Sequence, residues 1–202
     1  MTDRSVPPAL ILASKSSSRK AMLEAAGVPF EAMPADIDER AVERGLDGAS
    51  PPEIAEALSV AKAAALAERH PSHLVLGSDS LVVVEGKRFD KPKSRDDAAE
   101  HLRFFSGKTL ELHSAAALVR GNTCEWSHCD VAYLKVRDLS DDFIERYLDH
   151  EWPEVGFTVG VFRIEAMGVQ LFDAIKGDQF CILGMPLIPL LSALRDLEVL
   201  QA

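Results

Sequence analysis

Apolar and polar positions follow one another along this chain in blocks whose period changes, and the changes mark out its elements. Residues 9–13 are a short apolar run that stops at a serine-rich turn, the pattern of a buried strand. A helix is expected from residue 17 or 18 to 26, with Gly27 just past its end. Residues 28–35 read as extended, and the polar, acidic stretch 36–49 as a loop. Ser50-Pro51-Pro52-Glu53 has the form of a helix start, with an N-cap serine, prolines in the first turn and glutamate at the capping-box position. Ile54, Leu58, Ala61 and Ala65 follow at helical spacing, and His70-Pro71 closes the run.

Two β-type runs, 74–76 and 81–84, bracket the polar tetrapeptide Gly77-Ser78-Asp79-Ser80, and Glu85-Gly86-Lys87 reads as a hairpin turn. Ser94 with Asp97 starts a helix to about Phe105, which Ser106-Gly107-Lys108 ends. Residues 109–120 and 123–137 are two long extended stretches joined by Gly121-Asn122, a hairpin signal. Ser140 opens another helix with Asp141 and Asp142 where the helix dipole favours negative charge. Residues 159–164 and 169–175 look strand-like, Lys176-Gly177-Asp178 forms a turn, and a closing helix covers about 186–199. Helices and strands are mixed, and one hairpin is too long for a plain βαβ repeat. The fold class is α/β with a mixed, strongly curved sheet, in a single domain over residues 1–202.

The bulk composition removes several functions. At 47% hydrophobic residues the chain has ample core material. A net charge of −10 argues against binding a nucleic-acid polymer, though not against one polyanionic small molecule met by a few basic residues and a divalent cation. No run reaches the roughly 18–20 apolar residues of a membrane span, and the N-terminal apolar run is too short for a secretory signal. Three cysteines, an odd number, fit a reducing compartment, and the expected location is the cytoplasm.

Candidate chemistry concentrates in five places. Leu12-Ala13-Ser14-Lys15-Ser16-Ser17-Ser18-Arg19-Lys20 combines a strand end, hydroxyls, flanking cations and a helix start, which together make an anion cradle; serines that only cap the helix are the alternative. A serine–lysine hydrolase built from Ser14 or Ser16 with Lys15 is disfavoured, because neighbours on a turn rarely face each other. Asp79 is placed to act as a general base or metal ligand, or simply to satisfy turn amides. Asp36, Asp38 and Glu39 either complete an oxygen-rich metal site or are solvated. Lys62 flanks the apolar stripe of its helix, from where it aims inward or snorkels into water. Asp90-Lys91-Pro92-Lys93 holds Lys91 extended before a proline. Cys124, His128 and Cys129 lie on one expected strand, where neighbours point to opposite faces, so zinc is not expected there. Trp126 and Trp152 read as core or interface residues.

Taken in order, these motifs resemble the Maf family of nucleotide pyrophosphatases over about residues 8–199. The family's Leu-Ala-Ser-x-Ser-Pro-Arg-Arg is matched by Leu12-Ala13-Ser14-Lys15-Ser16-Ser17-Ser18-Arg19, and its Asp-Glu by Asp38-Glu39. Its helical lysine is Lys62, its Gly-Ala-Asp-Thr is Gly77-Ser78-Asp79-Ser80, and its Gly-Lys-Pro is Asp90-Lys91-Pro92. Ser106 to Thr109 and Gly177-Asp178 with Leu183-Gly184-Met185-Pro186 complete the set. The resemblance implies an ITPase-like fold, two lobes around a central cleft, in a homodimer that hydrolyses a nucleoside triphosphate to monophosphate and pyrophosphate. It implies Asp79 as the catalytic carboxylate and Glu39 with Asp79 as ligands of a divalent cation, Mg²⁺, Mn²⁺ or Co²⁺. Ser14, Arg19, Lys62 and Lys91 fall on the phosphate-contacting positions. Asp178 matches the Gly-Asp turn and is expected to hold it.

Ser17, Ser18, Ser80 and Glu165 depart from the usual Pro, Arg, Thr and Gln of the family. Of these, Ser18, Ser80 and Glu165 fall where the base is selected. An ionised glutamate only accepts hydrogen bonds, which suits the two donors on a guanine edge better than the mixed edge of uracil. The branch with glutamate here resembles the 7-methyl-GTP pyrophosphatases, which often carry a bulky aromatic where this chain has Ser18. The competing reading is a regulatory, division-related protein that senses nucleotide without turnover. Asp79 counts against it, since a sensor gains little from a carboxylate beside phosphates.

Overall fold

The computed structural model describes residues 10–201. Pro8 and Ala9, where the family resemblance and the first apolar run begin, lie outside the described residues, as do Ala202 and residues 1–7 of the N-terminal segment weighed as a signal. Strand β1 (Leu10–Leu12) leads to helix α1 (Ser17–Ala25), β2 (Phe30–Ala32), α2 (Glu39–Arg44), α3 (Pro51–Ala67), β3 (Leu74–Val84) and β4 (Lys87–Phe89). Then come α4 (Arg95–Phe105), the β5 (Thr109–Arg120) and β6 (Thr123–Val136) hairpin, α5 (Asp141–Glu151), β7 (Phe172–Lys176), α6 (Gln179–Ile182) and α7 (Leu187–Asp196). Short 3-10 turns occupy Glu154–Phe157, Val159–Val161 and Met167–Leu171. The strands join one mixed sheet in the order β2-β1-β3-β5-β6-β7, with β4 paired on β3. β1 runs parallel to β2 and β3, while β3–β4 and β6–β7 are antiparallel. This is the α/β class expected from the sequence.

The chain divides into two compact units, with boundaries inside the long strands β3, β5 and β6. The first comprises the residues up to Asp79, Ser114–Asp130 and those from Gly184 on; the second comprises Ser80–His113 and Val131–Leu183. In the first, Ile11, Ala13, Val75 and Val119 of the sheet pack with Ala63, Leu66 and Ala67 of α3. In the second, Val82, Phe89, Leu110 and Leu134 pack with Leu102 and Phe105 of α4 and with Ile144, Tyr147 and Leu148 of α5.

The helix starts follow the caps. Glu53 accepts hydrogen bonds from the Ser50 backbone N–H (2.7 Å) and hydroxyl (2.6 Å), and Ser94 and Ser140 accept from Asp97 N–H (3.1 Å) and Phe143 N–H (3.2 Å). Four segments differ from the sequence reading. The acidic loop 36–49 contains α2, which Asp38 caps through Ala41 N–H at 3.0 Å. With no buried residue in that helix, no apolar stripe announces it. Gly77 to Ser80 is a continuous part of β3 rather than a break between two runs. Residues 159–164 are no strand: Gly160 and Val161 take φ of +82° and +57°, outside the β region, and Val159–Val161 form a 3-10 turn. Residues 167–171 likewise form a 3-10 turn, so the strand expected over 169–175 begins only at Phe172.

Candidate active site

In the first unit, the buried strand β1 ends at Leu12 and the chain turns sharply through Ser14 to Ser16. Ser14 is 8% exposed, and its hydroxyl accepts the Ser16 N–H at 3.1 Å. Ser16 is the N-cap of α1, its hydroxyl accepting from Arg19 N–H at 3.4 Å. The turn thus presents hydroxyls at a helix start, while Lys15 is exposed and Ser18 lies half-buried in the first turn.

Arg19 sits in the same first turn and reaches across the unit. Its Nε donates to the Gly184 carbonyl at 3.0 Å and its Nη1 to the Ser78 carbonyl at 2.8 Å. Loss of hydration lowers its pKa from the ordinary arginine value, and the charges of Asp79 and Glu39 act in the opposite direction. The guanidinium therefore straps two chain segments together beside the carboxylates. That role goes beyond the phosphate contact expected from sequence.

The placement of Asp79 follows from Gly77. A Cβ on Gly77 would lie 2.0 Å from Ser59 O and 2.8 Å from Ala63 N, so the α3 backbone rests directly on the strand. Side chains two apart on a strand share a face, so Asp79 points to the side that α3 covers. Lys62 lies between Ser59 and Ala63 in sequence, and its Nζ reaches Asp79 Oδ1 at 2.5 Å and Glu39 Oε1 at 2.8 Å. The Lys62 and Asp79 side chains are 15% and 10% exposed and Glu39 is 48% exposed, so the cluster opens to solvent at Glu39. Glu39 itself is set by the start of α2.

Ser78 was missed in the sequence. It points to the opposite face, wholly buried, and donates to Ala115 O at 2.7 Å and to Gly184 O at 3.2 Å. The family pattern has alanine there, which can make neither bond. The signal was a hydroxyl on a buried strand, which must find a partner.

Two carboxylates drawn onto one ammonium give a hard, oxygen-rich corner. Mg²⁺ is held in this way, by one or two carboxylates plus water and phosphate oxygens. Among the described residues no group of three or more His, Cys, Asp and Glu side chains is arranged to hold a metal. The chemistry of Glu39 and Asp79 fits such a cation, for which they could supply two of the oxygen ligands.

Ser80, Lys91 and Glu165 belong to the second unit. Ser80 is half-buried on β3, and Lys91 is exposed after β4 beside the buried Pro92. Glu165 is exposed between two 3-10 turns. Asp178 caps α6, accepting from Phe180 N–H at 2.9 Å and Cys181 N–H at 3.3 Å, and so holds its turn.

Comparison with known proteins bears on this arrangement. A nucleoside triphosphate pyrophosphatase of Rhodopseudomonas palustris (strain HaA2) is 43% identical over 194 residues, covering 96% of this chain and 96% of that protein. A 7-methyl-GTP pyrophosphatase of Rhizobium etli is 47% identical over 196 residues, covering 96% and 98%. Among solved structures, a HAM1 protein from Coxiella burnetii aligns with a TM-score of 0.44 and 15% identity, over 64% of this chain and 73% of its own. The model of the family described as Maf-like protein matches residues 9–197, and the chain belongs to that family.

Proposed function

We propose that this chain hydrolyses a nucleoside triphosphate to its monophosphate and pyrophosphate, with the Asp79 cluster as the reacting centre. The observation that carries the reading is Lys62 held between Asp79 and Glu39 in the unit that also presents the serine turn. An ammonium has three donors; two carboxylates leave one for a phosphate oxygen. Ser14, the α1 amides and Lys91 supply further phosphate contacts, and Arg19 adds charge while holding its two carbonyls. Asp79 takes a proton from water as the water oxygen bonds to the α-phosphorus. The bond from that phosphorus to the bridging oxygen breaks, and its electron pair leaves with pyrophosphate. Glu39 and Asp79 would hold a Mg²⁺, Mn²⁺ or Co²⁺, which would supply charge neutralisation at the phosphates.

Glu165 reads the base, with Ser18 and Ser80 shaping its surroundings, and a guanine-type triphosphate such as 7-methyl-GTP is the preferred substrate. The names of the relatives support both the reaction and this choice. The enzyme works as a homodimer, and the cytoplasm is its location, a placement supported by three cysteines that form no disulfide among the described residues. No helix among the described residues is long and apolar enough to cross a membrane.

The test is pyrophosphate and monophosphate release from GTP, 7-methyl-GTP, UTP, dTTP and CTP with Mg²⁺, for wild type and Glu165→Gln. We expect guanine-type substrates to lead and the substitution to narrow or reverse the preference. Absence of pyrophosphate from every nucleotide would overturn the reaction. A wild type that prefers UTP or dTTP, unchanged by Glu165→Gln, would overturn the base reader alone.

A further inference from the structure

Glu165 stands in a stretch with no strand ladder to hold it, yet that stretch is fastened on both sides by one buried carboxylate. Ile144, Tyr147, Leu148 and Glu151 form the buried stripe of α5, and Glu151 is 4% exposed. Its Oε2 accepts from Arg163 Nε at 2.9 Å and its Oε1 from the Met167 N–H at 3.1 Å. One carboxylate therefore ties down the residues two before and two after Glu165. One helical turn earlier, Tyr147 donates its hydroxyl to Val161 O at 2.9 Å. The loop also closes on itself, since a Cβ on Gly168 would lie 2.4 Å from Arg163 O and 2.6 Å from Arg163 N.

The pair is buried at Glu151 and half-buried at Arg163, and such pairs contribute little net stability compared with apolar side chains of similar volume. What Glu151 adds is geometry. It also engages the Arg163 guanidinium, which lies within the field of Glu165: the hydrogen bond to Glu151 is the largest influence raising the Arg163 pKa, and the Glu165 charge adds to it. Without Glu151 the guanidinium loses its ion-pair partner two residues from Glu165, where it would compete with a base for the same oxygens.

We propose that Glu151 is a positioning residue for base selection, anchoring the Glu165 loop at both ends and keeping Arg163 off the Glu165 carboxylate. The proposal rests on the reading of Glu165 as the base-contacting residue, and the experiment separates the two. The measurement is the ratio of kcat/KM for GTP to that for UTP in wild type, Glu151→Gln, Glu165→Gln and the double variant. The unfolded fraction of any preparation cancels in this ratio, so a purely structural role for Glu151 leaves it unmoved. Glu151→Gln is expected to lower the ratio about tenfold, the equivalent of about 1.4 kcal/mol, with the loss falling on GTP. In the Glu165→Gln background the same change should have no further effect.

If Glu165→Gln shifts the ratio and Glu151→Gln does not, the positioning role is wrong and the base reader stands. If Glu165→Gln leaves the ratio at the wild-type value, the base reader fails and the positioning role fails with it. Should Glu151→Gln not fold, the paired change Glu151→Leu with Arg163→Met removes both charges together. It must lower the ratio through the slackened loop alone; an unchanged ratio there also overturns the proposal.

Discussion

Asp79 stands on a continuous strand with a helix backbone pressed against its face, whereas Glu165 stands on an irregular stretch tied down by side chains. In the first unit the spacing of Lys62 and Asp79 is fixed by backbone packing at Gly77, and side-chain bonds from Arg19 and Ser78 only brace it. In the second unit, one carboxylate holds the stretch on both sides of Glu165, and Tyr147 braces its approach. The difference suits the roles proposed for Asp79 and Glu165. Reacting groups must be held within a fraction of an ångström, while recognition of different bases is altered most simply where few contacts set the geometry.

The comparison breaks first at Asp79. Asp79→Asn keeps the shape of the side chain and removes the base, and about 10²–10⁴ in kcat should be lost from protein that still folds. A variant with near wild-type kcat would take Asp79 out of the reaction and leave only its structural pairing with Lys62.

Gly77→Ala probes the backbone side of the comparison. Because the new methyl meets backbone atoms of α3, it cannot be absorbed by a rotamer change, and we expect a loss of about 1–3 kcal/mol. That corresponds to roughly 2–4 °C in Tm per kcal/mol for a chain of this size. The fall in kcat should exceed what the loss of folded protein explains, as Lys62 is displaced from Asp79. Normal kcat together with a lowered Tm would show that the close approach serves packing alone.

The smallest effect concerns acid. Both histidines whose pKa is lowered by burial, His101 and His113, belong to the second unit. For each, loss of hydration is the main cause, and a nearby acid, Asp97 or Glu111, opposes it. A lowered histidine pKa favours the neutral form in the fold. The associated stability is complete above the ordinary value of 6.5 and is lost as the pH falls below it. Hydrogen exchange at mild acid should therefore quicken in the second unit before the first. His113→Leu should flatten the acid side of the Tm profile, and an identical profile would exclude His113 as its source.

Much of this was legible in the sequence, because local chemistry and tertiary role coincided. Ser50 with Glu53, Ser94 with Asp97 and Gly121-Asn122 each announce an element through bonds made within a few residues. Lys62 and Asp79 were singled out individually, but their meeting depends on α3 resting on Gly77, a contact that the strand–polar–strand pattern disguised as a turn. The α2 helix was hidden because it buries nothing. Residues 159–164 misled because their apolar alternation serves 3-10 turns that pack into the core, with the Val161 carbonyl satisfied by Tyr147 rather than by a neighbouring strand. Glu151 carried a readable signal, a carboxylate on the buried stripe of an amphipathic helix, which has to be paired.

The strap from Arg19 to Gly184 spans 165 positions of sequence, and this sets an order of assembly. All residues of the unit that carries Glu165 have been made once synthesis passes Leu183, whereas the unit that carries Asp79 includes every described residue from Gly184 onward. On the ribosome, Arg19 must therefore wait for nearly the whole chain before its buried charge finds the second carbonyl. A nascent chain stalled before that point holds Asp79, Lys62 and Glu39 without the Arg19–Gly184 half of the strap that braces them.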